Sequence, residues 1–381
     1  MKNSLLILFL LLAAQVPAQN LLSGEWYLAR QYVYNRDGSI DSVSGDGIDF
    51  FRKAGDMPDL LKIDVSGKFS MHFRDTLFHE RLVYNGTFVL SGKSGIMQFD
   101  LPLGNPSVTL LTNETMMISR DYDPVQTTLR RVEKIFHKAD IREDFGKFFD
   151  EQNLEGTILV YNEREKRYIV YNPERARNAY IPASTFKIFN SMAGITYGAV
   201  KDENEIIKWD GVKRSREELN KDLDMREAFR ISSVWFYQEI ARRIGAENMQ
   251  KALTDNRYGN RNMNGGLDRF WLDGEIRISP EQQVDFLRRM YFGKLSFSEK
   301  SVRITKNIML LKDEGVYKLY GKTGWMDSGG IDLGWLVGFV ETADNTYFYA
   351  LNVQSPQGTV KNFLTARRAI VDKVFNTLLG R

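Results

Sequence analysis

The segment that carries the strongest signal in this chain is Tyr180-Ile181-Pro182-Ala183-Ser184-Thr185-Phe186-Lys187. If a helix begins at Pro182-Ala183, Ser184 and Lys187 lie three residues apart on one face of its first turns, so the lysine Nζ can reach the serine Oγ. The serine would also lie where backbone N–H groups point outward and can receive an oxyanion. Taken alone, the pair is also compatible with a capped helix that carries a solvated lysine.

The composition narrows the chemistry that this segment can perform. The 381 residues include no cysteine and three histidines, His72, His79 and His137, all of which precede residue 140. Thiol catalysis is therefore excluded, and neither a Ser-His-Asp triad nor a histidine-ligated zinc can operate in the C-terminal part. A hydrolase still has the option of a serine activated by a lysine that can lose its proton. We predict no metal site and no obligatory cofactor.

Charge and length limit the class of protein further. The 52 basic and 49 acidic side chains are mixed along the chain, so no basic stripe is available for nucleic acid, which we exclude as a partner. The length and the 43% hydrophobic content predict two domains.

The first 18 residues have the pattern of a cleaved export signal. Lys2 precedes the apolar run 5–12, and Val16-Pro17-Ala18 follows. The alternative is a membrane anchor, but the run is shorter than the roughly 20 residues that span a bilayer. We predict signal peptide 1–18 and an exported, periplasmic protein that is stable without disulfides.

Residues 19–135 predict an all-β N-terminal domain. Ile63, Phe69, Met71 and Phe73 alternate around a Ser66-Gly67 turn, which is typical of an antiparallel sheet or small barrel. Gly24-Glu25-Trp26 resembles the start of lipocalin-like barrels, although Trp26 could equally plug the end of a β core. The ligand or partner of this domain stays open, and one alternative makes it the functional centre that binds an apolar ligand or an envelope partner.

Residues 136–381 predict a second, α+β domain after a charged, partly helical boundary at 130–144. Strand-like runs at 156–161, 168–171, 319–323, 334–341 and 347–353 enclose a helical middle, and an amphipathic helix ends the chain. The pattern indicates one antiparallel sheet with terminal helices and an inserted helical subdomain.

Three further motifs change the interpretation of the Ser184–Lys187 pair. Lys322-Thr323-Gly324 follows a strand and offers a cation and a hydroxyl for a substrate carboxylate, with a glycine that lets a ligand approach. Ser232-Ser233-Val234 precedes a predicted helix, and Tyr258-Gly259-Asn260 lies in a predicted loop. Each motif by itself also fits a cap or a turn.

Together, the four motifs and their order resemble the class D (oxacillinase-type) serine β-lactamases. The resemblance runs from about Glu155 to the C-terminus, and it includes Phe270-Trp271-Leu272-Asp273-Gly274 between the motifs. It implies the serine β-lactamase or penicillin-binding type of fold for residues 136–381. Trp325 and the pair Trp235-Phe236 are bulkier than is common in the family, which leaves the preferred β-lactam open.

The resemblance also implies roles for individual residues. Ser184 would be the acylated nucleophile and Lys187 the base, carbamylated by CO2 to N6-carboxylysine, while Ser232 relays a proton beside Lys322. Arg367 would bind a substrate carboxylate, unless it is simply a surface charge. The remaining residues expected to bind substrate, or in the case of Trp271 to steady the carbamate, are Val234, Trp271, Leu272, Thr323, Gly324 and Trp325.

The function that the resemblance implies is hydrolysis of β-lactams through a serine acyl-enzyme. The alternative is a penicillin-binding or sensor protein that is acylated by β-lactams with little turnover. The partners expected are therefore β-lactam small molecules, and the oligomeric state stays open, a homodimer included.

Overall fold

The computed structural model describes residues 24–35, 40–44, 60–63, 68–74, 81–91, 94–99, 107–112, 115–121, 129–360 and 362–381. The chain divides into two compact units, Met1–Ala139 and Asp140–Arg381. The predicted signal peptide, residues 1–18, lies outside the described residues. Where the structure is described, no helix has both the length and the apolar character needed to cross a bilayer.

The described strands of the first unit form one antiparallel sheet in which each strand after β3 pairs with the next along the chain. The first strand also pairs with the last, Leu28 opposite Phe136, so the sheet closes on itself. Trp26, Leu61 and Met116 are buried. The strands are β1 (Gly24–Asn35), β2 (Ile40–Ser44), β3 (Leu60–Ile63), β4 (Lys68–Arg74), β5 (Arg81–Ser91), β6 (Ser94–Phe99), β7 (Ser107–Thr112), β8 (Thr115–Asp121) and β9 (Leu129–Lys138).

The charged segment 130–144 differs from the sequence expectation. Most of it is strand β9, which pairs with β1 on one side and with β8 on the other, and only Glu143–Phe145 is helical. Pairing on both edges outweighs the charge pattern that suggested helix. β9 continues to Lys138, past the expected domain boundary at residue 135.

The second unit is built on a mixed sheet that is antiparallel except for its short first strand. Its order is β10-β12-β11-β16-β15-β14-β13, and only β10 runs parallel to its neighbour β12. The strands are β10 (Asp140–Ile141), β11 (Glu155–Asn162), β12 (Arg167–Tyr171), β13 (Leu310–Asp313), β14 (Tyr317–Ser328), β15 (Ile331–Thr342) and β16 (Thr346–Pro356).

Helices cover both faces of this sheet because its strands are apolar on both sides. One face packs against the terminal helices α1 (Gly146–Asp150) and α9 (Phe363–Leu378) in a core that includes Phe149, Leu351 and Ile370. The other face packs against α7 (Pro280–Tyr291), whose Tyr291 ring contacts Phe339 and Phe348.

The remaining helices lie between β12 and β13 in the chain. They are α2 (Pro173–Arg177), α3 (Lys187–Thr196), α4 (Met225–Arg230), α5 (Val234–Ile244), α6 (Ala246–Asp255) and α8 (Glu299–Ile308). The expected α+β architecture, a sheet with terminal helices and an inserted helical region, is confirmed.

Candidate active site

The turn that carries Ser184 is tighter than the predicted helix start. Residues Ala183–Phe186 form a 3-10 turn, and the α-helix α3 begins only at Lys187. Ala183 has a φ of +48°, in the left-handed region that a residue with a Cβ rarely adopts. The turn still places the Lys187 Nζ as a hydrogen-bond donor 2.7 Å from the Ser184 Oγ.

Lys187 is fully buried, with its Nζ 5.5 Å from the centre of the Tyr237 ring. Burial, with a smaller contribution from the positive charge of Arg216, lowers the pKa of Lys187 to about 7. A substantial fraction of this amine is therefore neutral near neutral pH, and a neutral amine can accept a proton from the serine.

Aromatic rings pack against Phe186, the residue of the turn that precedes Lys187. The Trp271 ring stacks on Phe186 at 5.1 Å between centroids, and the Tyr258 ring meets Phe186 edge-on at 5.5 Å. The Trp271 Nε1 is buried and has no hydrogen-bond partner in the described part of the protein. Leu272, the next residue, is half-buried. The loop motif that begins at Tyr258 thus packs against the turn that carries Ser184.

Ser232 lies just before Ser233, the residue that caps α5, so its motif leads into a helix as expected. Its φ is +59°, and its Oγ accepts a hydrogen bond of 3.1 Å from the Lys322 Nζ. Val234, in the first turn of α5, keeps 38% of its surface exposed. Strand β14 and helix α5 therefore meet at the Ser232–Lys322 pair.

Lys322 is the second buried lysine of the site. Burial is the main cause that holds the pKa of Lys322 well below its usual range, and the charges of Lys187, Arg367 and Arg216 lower it further. Its Nζ also approaches Thr323 Oγ1 at 3.4 Å. The hydrogen bonds of Lys322 therefore link the Lys-Thr-Gly strand to Ser232.

Gly324 has a structural role that the sequence did not show. A Cβ at this position would lie 2.9 Å from the Pro182 carbonyl oxygen and 3.1 Å from Thr185 Cγ2. The glycine was expected to let a ligand approach the strand, but in this structure it lets the turn around Ser184 approach.

Arg367 is buried and is not the surface charge that the sequence left open. Its Nη1 donates to the carbonyl oxygens of Gly324 and Trp335, and burial lowers the pKa of Arg367 to about 10. Its Nε has no hydrogen-bond partner in the described residues. Trp325, by contrast, is half-exposed, and its Nε1 donates to Asp332 Oδ1 at 2.9 Å.

Arg216 belongs to no sequence motif and was not among the predicted site residues. Its Nη2 donates to the carbonyl oxygen of Ile231, one residue before Ser232, at 2.9 Å. Its charge acts on both Lys187 and Lys322. The residue comes from an irregular loop, so no periodicity or motif could have marked it.

Comparison with known proteins agrees with this geometry. Residues 150–379 match the penicillin-binding protein transpeptidase domain family, to which the chain belongs. Within that family it is a member of the class D β-lactamases, as the relatives below show.

Beta-lactamase OXA-48 from Klebsiella pneumoniae is 42% identical over 226 residues, which cover 59% of this chain and 84% of that protein. The crystal structure of a class D β-lactamase from Sebaldella termitidis superposes with a TM-score of 0.60 at 37% identity, over 64% of this chain and 98% of that chain. The C-terminal domain of the Bacillus licheniformis BlaR penicillin-receptor is also similar, with a TM-score of 0.59 and 29% identity over 63% of this chain and 96% of that domain.

Proposed function

We propose that the C-terminal unit hydrolyses β-lactams through an acyl-enzyme on Ser184. The observation that carries this proposal is the hydrogen bond between Ser184 and Lys187, a buried lysine whose pKa is about 7. A serine hydroxyl is a weak nucleophile unless a base removes its proton, and this lysine is the base within reach.

The side chains of the site can account for each proton in the reaction. Ser184 Oγ attacks the lactam carbonyl carbon while its proton moves toward Lys187. The ring C–N bond then breaks, and the leaving nitrogen takes the proton of Ser232, which Lys322 replaces through the hydrogen bond between them. The proton held by Lys187 then returns through water to Lys322, which restores both amines. Water attacks the ester carbonyl while Lys187 takes its proton, and Lys187 passes that proton to the Ser184 oxygen as the ring-opened acid leaves.

The backbone N–H groups of Ser184 and Trp325 are the proposed donors to the developing oxyanion. Each such donor typically contributes about 3 kcal/mol in acyl-transfer sites. We assign the substrate carboxylate to Lys322 and Thr323, and to Arg367 through Nε, since Nη1 and Nη2 already donate to backbone carbonyl oxygens and Nε has no partner in the described residues. The half-exposed or exposed apolar side chains Val234, Leu272 and Trp325 would line the entrance.

Lys187 also has the environment that a carbamate requires. A neutral, buried amine can add CO2, and the unpartnered Trp271 Nε1 could donate a hydrogen bond to the group that forms. When CO2 is bound in this way, the carbamate supplies a better base near neutral pH than the amine. Carbon-13 NMR of protein equilibrated with labelled bicarbonate should show a carbamate signal that Lys187→Ala removes and Lys251→Ala, an exposed control, retains.

The competing function is acylation without turnover, as in a β-lactam sensor, and the similarity to the BlaR receptor domain is the observation that favours it. Nitrocefin hydrolysis and intact mass should be measured together for the wild type, Ser184→Ala and the control Ser296→Ala. Sustained turnover that only Ser184→Ala abolishes would establish a hydrolase. A stoichiometric adduct on Ser184 without turnover would establish a sensor or penicillin-binding protein.

We also propose export to the periplasm with removal of residues 1–18, on the basis of Lys2 and the apolar run 5–12. N-terminal sequencing of the protein recovered from a periplasmic fraction tests this, and an intact Met1 there would contradict it.

A further inference from the structure

Arg216 is held beside the site by the segment that contains it. It immediately precedes the 3-10 turn Glu217–Leu219, and the Leu219 carbonyl oxygen accepts a hydrogen bond of 2.9 Å from Trp235 Nε1. The guanidinium of Arg214 lies over the Trp235 ring, 5.6 Å from its centre. These contacts attach the loop to the first turn of α5, next to Ser232.

Hydrogen bonds within the protein hold the guanidinium of Arg216 in place, and they leave one of its nitrogens available for a ligand. Nη2 donates to Ile231 O, and both Nε and Nη2 donate to Glu218 Oε1 at 3.0 and 2.7 Å. Nη1 makes no hydrogen bond within the described residues, and the side chain is 51% exposed. Because the Arg216–Glu218 pair is itself exposed to water, a substrate anion can compete for the guanidinium at low cost.

The basic side chains around the site favour a substrate with more than one anionic group. Arg367 and Arg216 are cationic, and every charged side chain that shifts the pKa of Lys187 or Lys322 is basic. A carboxylate bound beside Lys322 would therefore favour the protonated form of that lysine. One carboxylate on the β-lactam ring system would engage Lys322, Thr323 and Arg367, on β14 and α9. Arg216 lies on the α5 side of the site, where it is left without a substrate partner.

We propose that Arg216 binds a second anionic group of the substrate, a carboxylate on the acyl side chain, and makes the enzyme prefer dianionic β-lactams. This inference rests on the proposed acylation of Ser184. Nη1 of this half-exposed side chain offers hydrogen bonds as well as charge, and hydrogen bonds to charged groups contribute about 1.5–3 kcal/mol. The residue would act on specificity and would take no part in breaking the lactam bond.

The test compares two penicillins that differ by one carboxylate, benzylpenicillin and α-carboxybenzylpenicillin. The variants are Arg216→Gln and Arg216→Lys, with Arg226→Gln as the matched control, because Arg226 is 53% exposed and pairs with Glu203 on the surface. Loss of the Arg216 charge also raises the pKa of Lys187 and so slows both penicillins alike, which makes the ratio of their kcat/KM values the quantity to compare. We expect Arg216→Gln to lower kcat/KM for the dicarboxylate about tenfold relative to benzylpenicillin. Arg216→Lys should retain part of the preference, and Arg226→Gln should change neither substrate.

Equal losses on both penicillins, or no loss on either, would overturn the proposal. Circular dichroism and thermal unfolding of Arg216→Gln identify a loss that comes from misfolding, and Arg216→Lys then carries the same comparison. If the wild type is acylated without turnover, the rates of adduct formation by intact mass give the same ratio. Failure of hydrolysis is thereby separated from failure of the Arg216 assignment.

Discussion

The pKa of Lys187 predicts how the activity depends on pH. Burial lowers this pKa to about 7, so the amine is neutral above that value and becomes an ammonium as the pH falls through it. An ammonium neither accepts the Ser184 proton nor combines with CO2. We therefore expect kcat/KM for a penicillin to fall below about pH 7, measured from about pH 5.5 to about pH 9 under a fixed CO2 atmosphere.

A flat profile down to about pH 5.5 would contradict the assignment of Lys187 as the base. Circular dichroism across the same range separates a loss of activity by titration from acid unfolding, and reversal on return to neutral pH provides a second check.

Two buried tryptophans should differ in how much stability they lose when phenylalanine replaces them and removes the indole N–H. Trp335 Nε1 donates to Ile181 O at 2.9 Å, so Trp335→Phe leaves a buried carbonyl without this donor and should cost about 1–3 kcal/mol of stability. Both substitutions lose the packing of a fully buried indole. Because Trp271 Nε1 has no partner in the described residues, Trp271→Phe should cost about 1–3 kcal/mol less than Trp335→Phe in bicarbonate-free buffer.

Trp271→Phe should nevertheless lose activity, and added bicarbonate should restore part of it, because the proposed carbamate loses its hydrogen-bond donor. Urea unfolding and nitrocefin turnover measure the two effects. Equal destabilisation by the two substitutions would mean that Trp271 Nε1 has a structural partner after all.

At the scale of secondary-structure elements, the contact between β14 and the nucleophile turn predicts the effect of Gly324→Ala. The added Cβ would lie 2.9 Å from Pro182 O, and the backbone on both sides can yield only by separating the strand from the turn. We expect a loss of about 1–3 kcal/mol in stability and at least about a hundredfold in kcat/KM, since small misplacements are costly in catalysis.

Gly146→Ala is the control for this substitution, because its Cβ would meet the side chain of Tyr171, which packs against the core between the sheet and helices α1 and α9. It should leave kcat/KM unchanged. Full activity in Gly324→Ala would show that the strand does not set the position of Ser184.

The elements also show what the sequence could predict. The strand-like runs of the sequence located five strands of this sheet, β11, β12, β14, β15 and β16. β14 and β15 extend further than predicted and meet at Gly329-Gly330, where both residues have positive φ.

Two residue pairs could be predicted from the sequence. The three-residue spacing predicted that Ser184 and Lys187 meet, and the order of motifs in the family that the chain resembles predicted that Ser232 and Lys322 meet. Arg216 could not be predicted, since only the folded loop brings this residue to Lys187 and Lys322.

At the scale of the molecule, the second unit has its own core, which predicts that it folds alone. Phe149, Leu351 and Ile370 pack together within it, and the motifs named above all lie in it. The class D structure from Sebaldella termitidis is matched over 98% of its own length by 64% of this chain, so a protein of that size can fold without a counterpart of the first unit.

We expect a fragment of residues 138–381 to unfold cooperatively in urea and to keep kcat/KM within about threefold of the full chain. The same fragment with Ser184→Ala is the control that assigns any turnover to this site. An insoluble or inactive fragment, next to an active full-length protein, would mean that the first unit supports the catalytic unit. An active fragment would leave the closed sheet of the first unit free for a separate task, because hydrolysis would then need none of its residues.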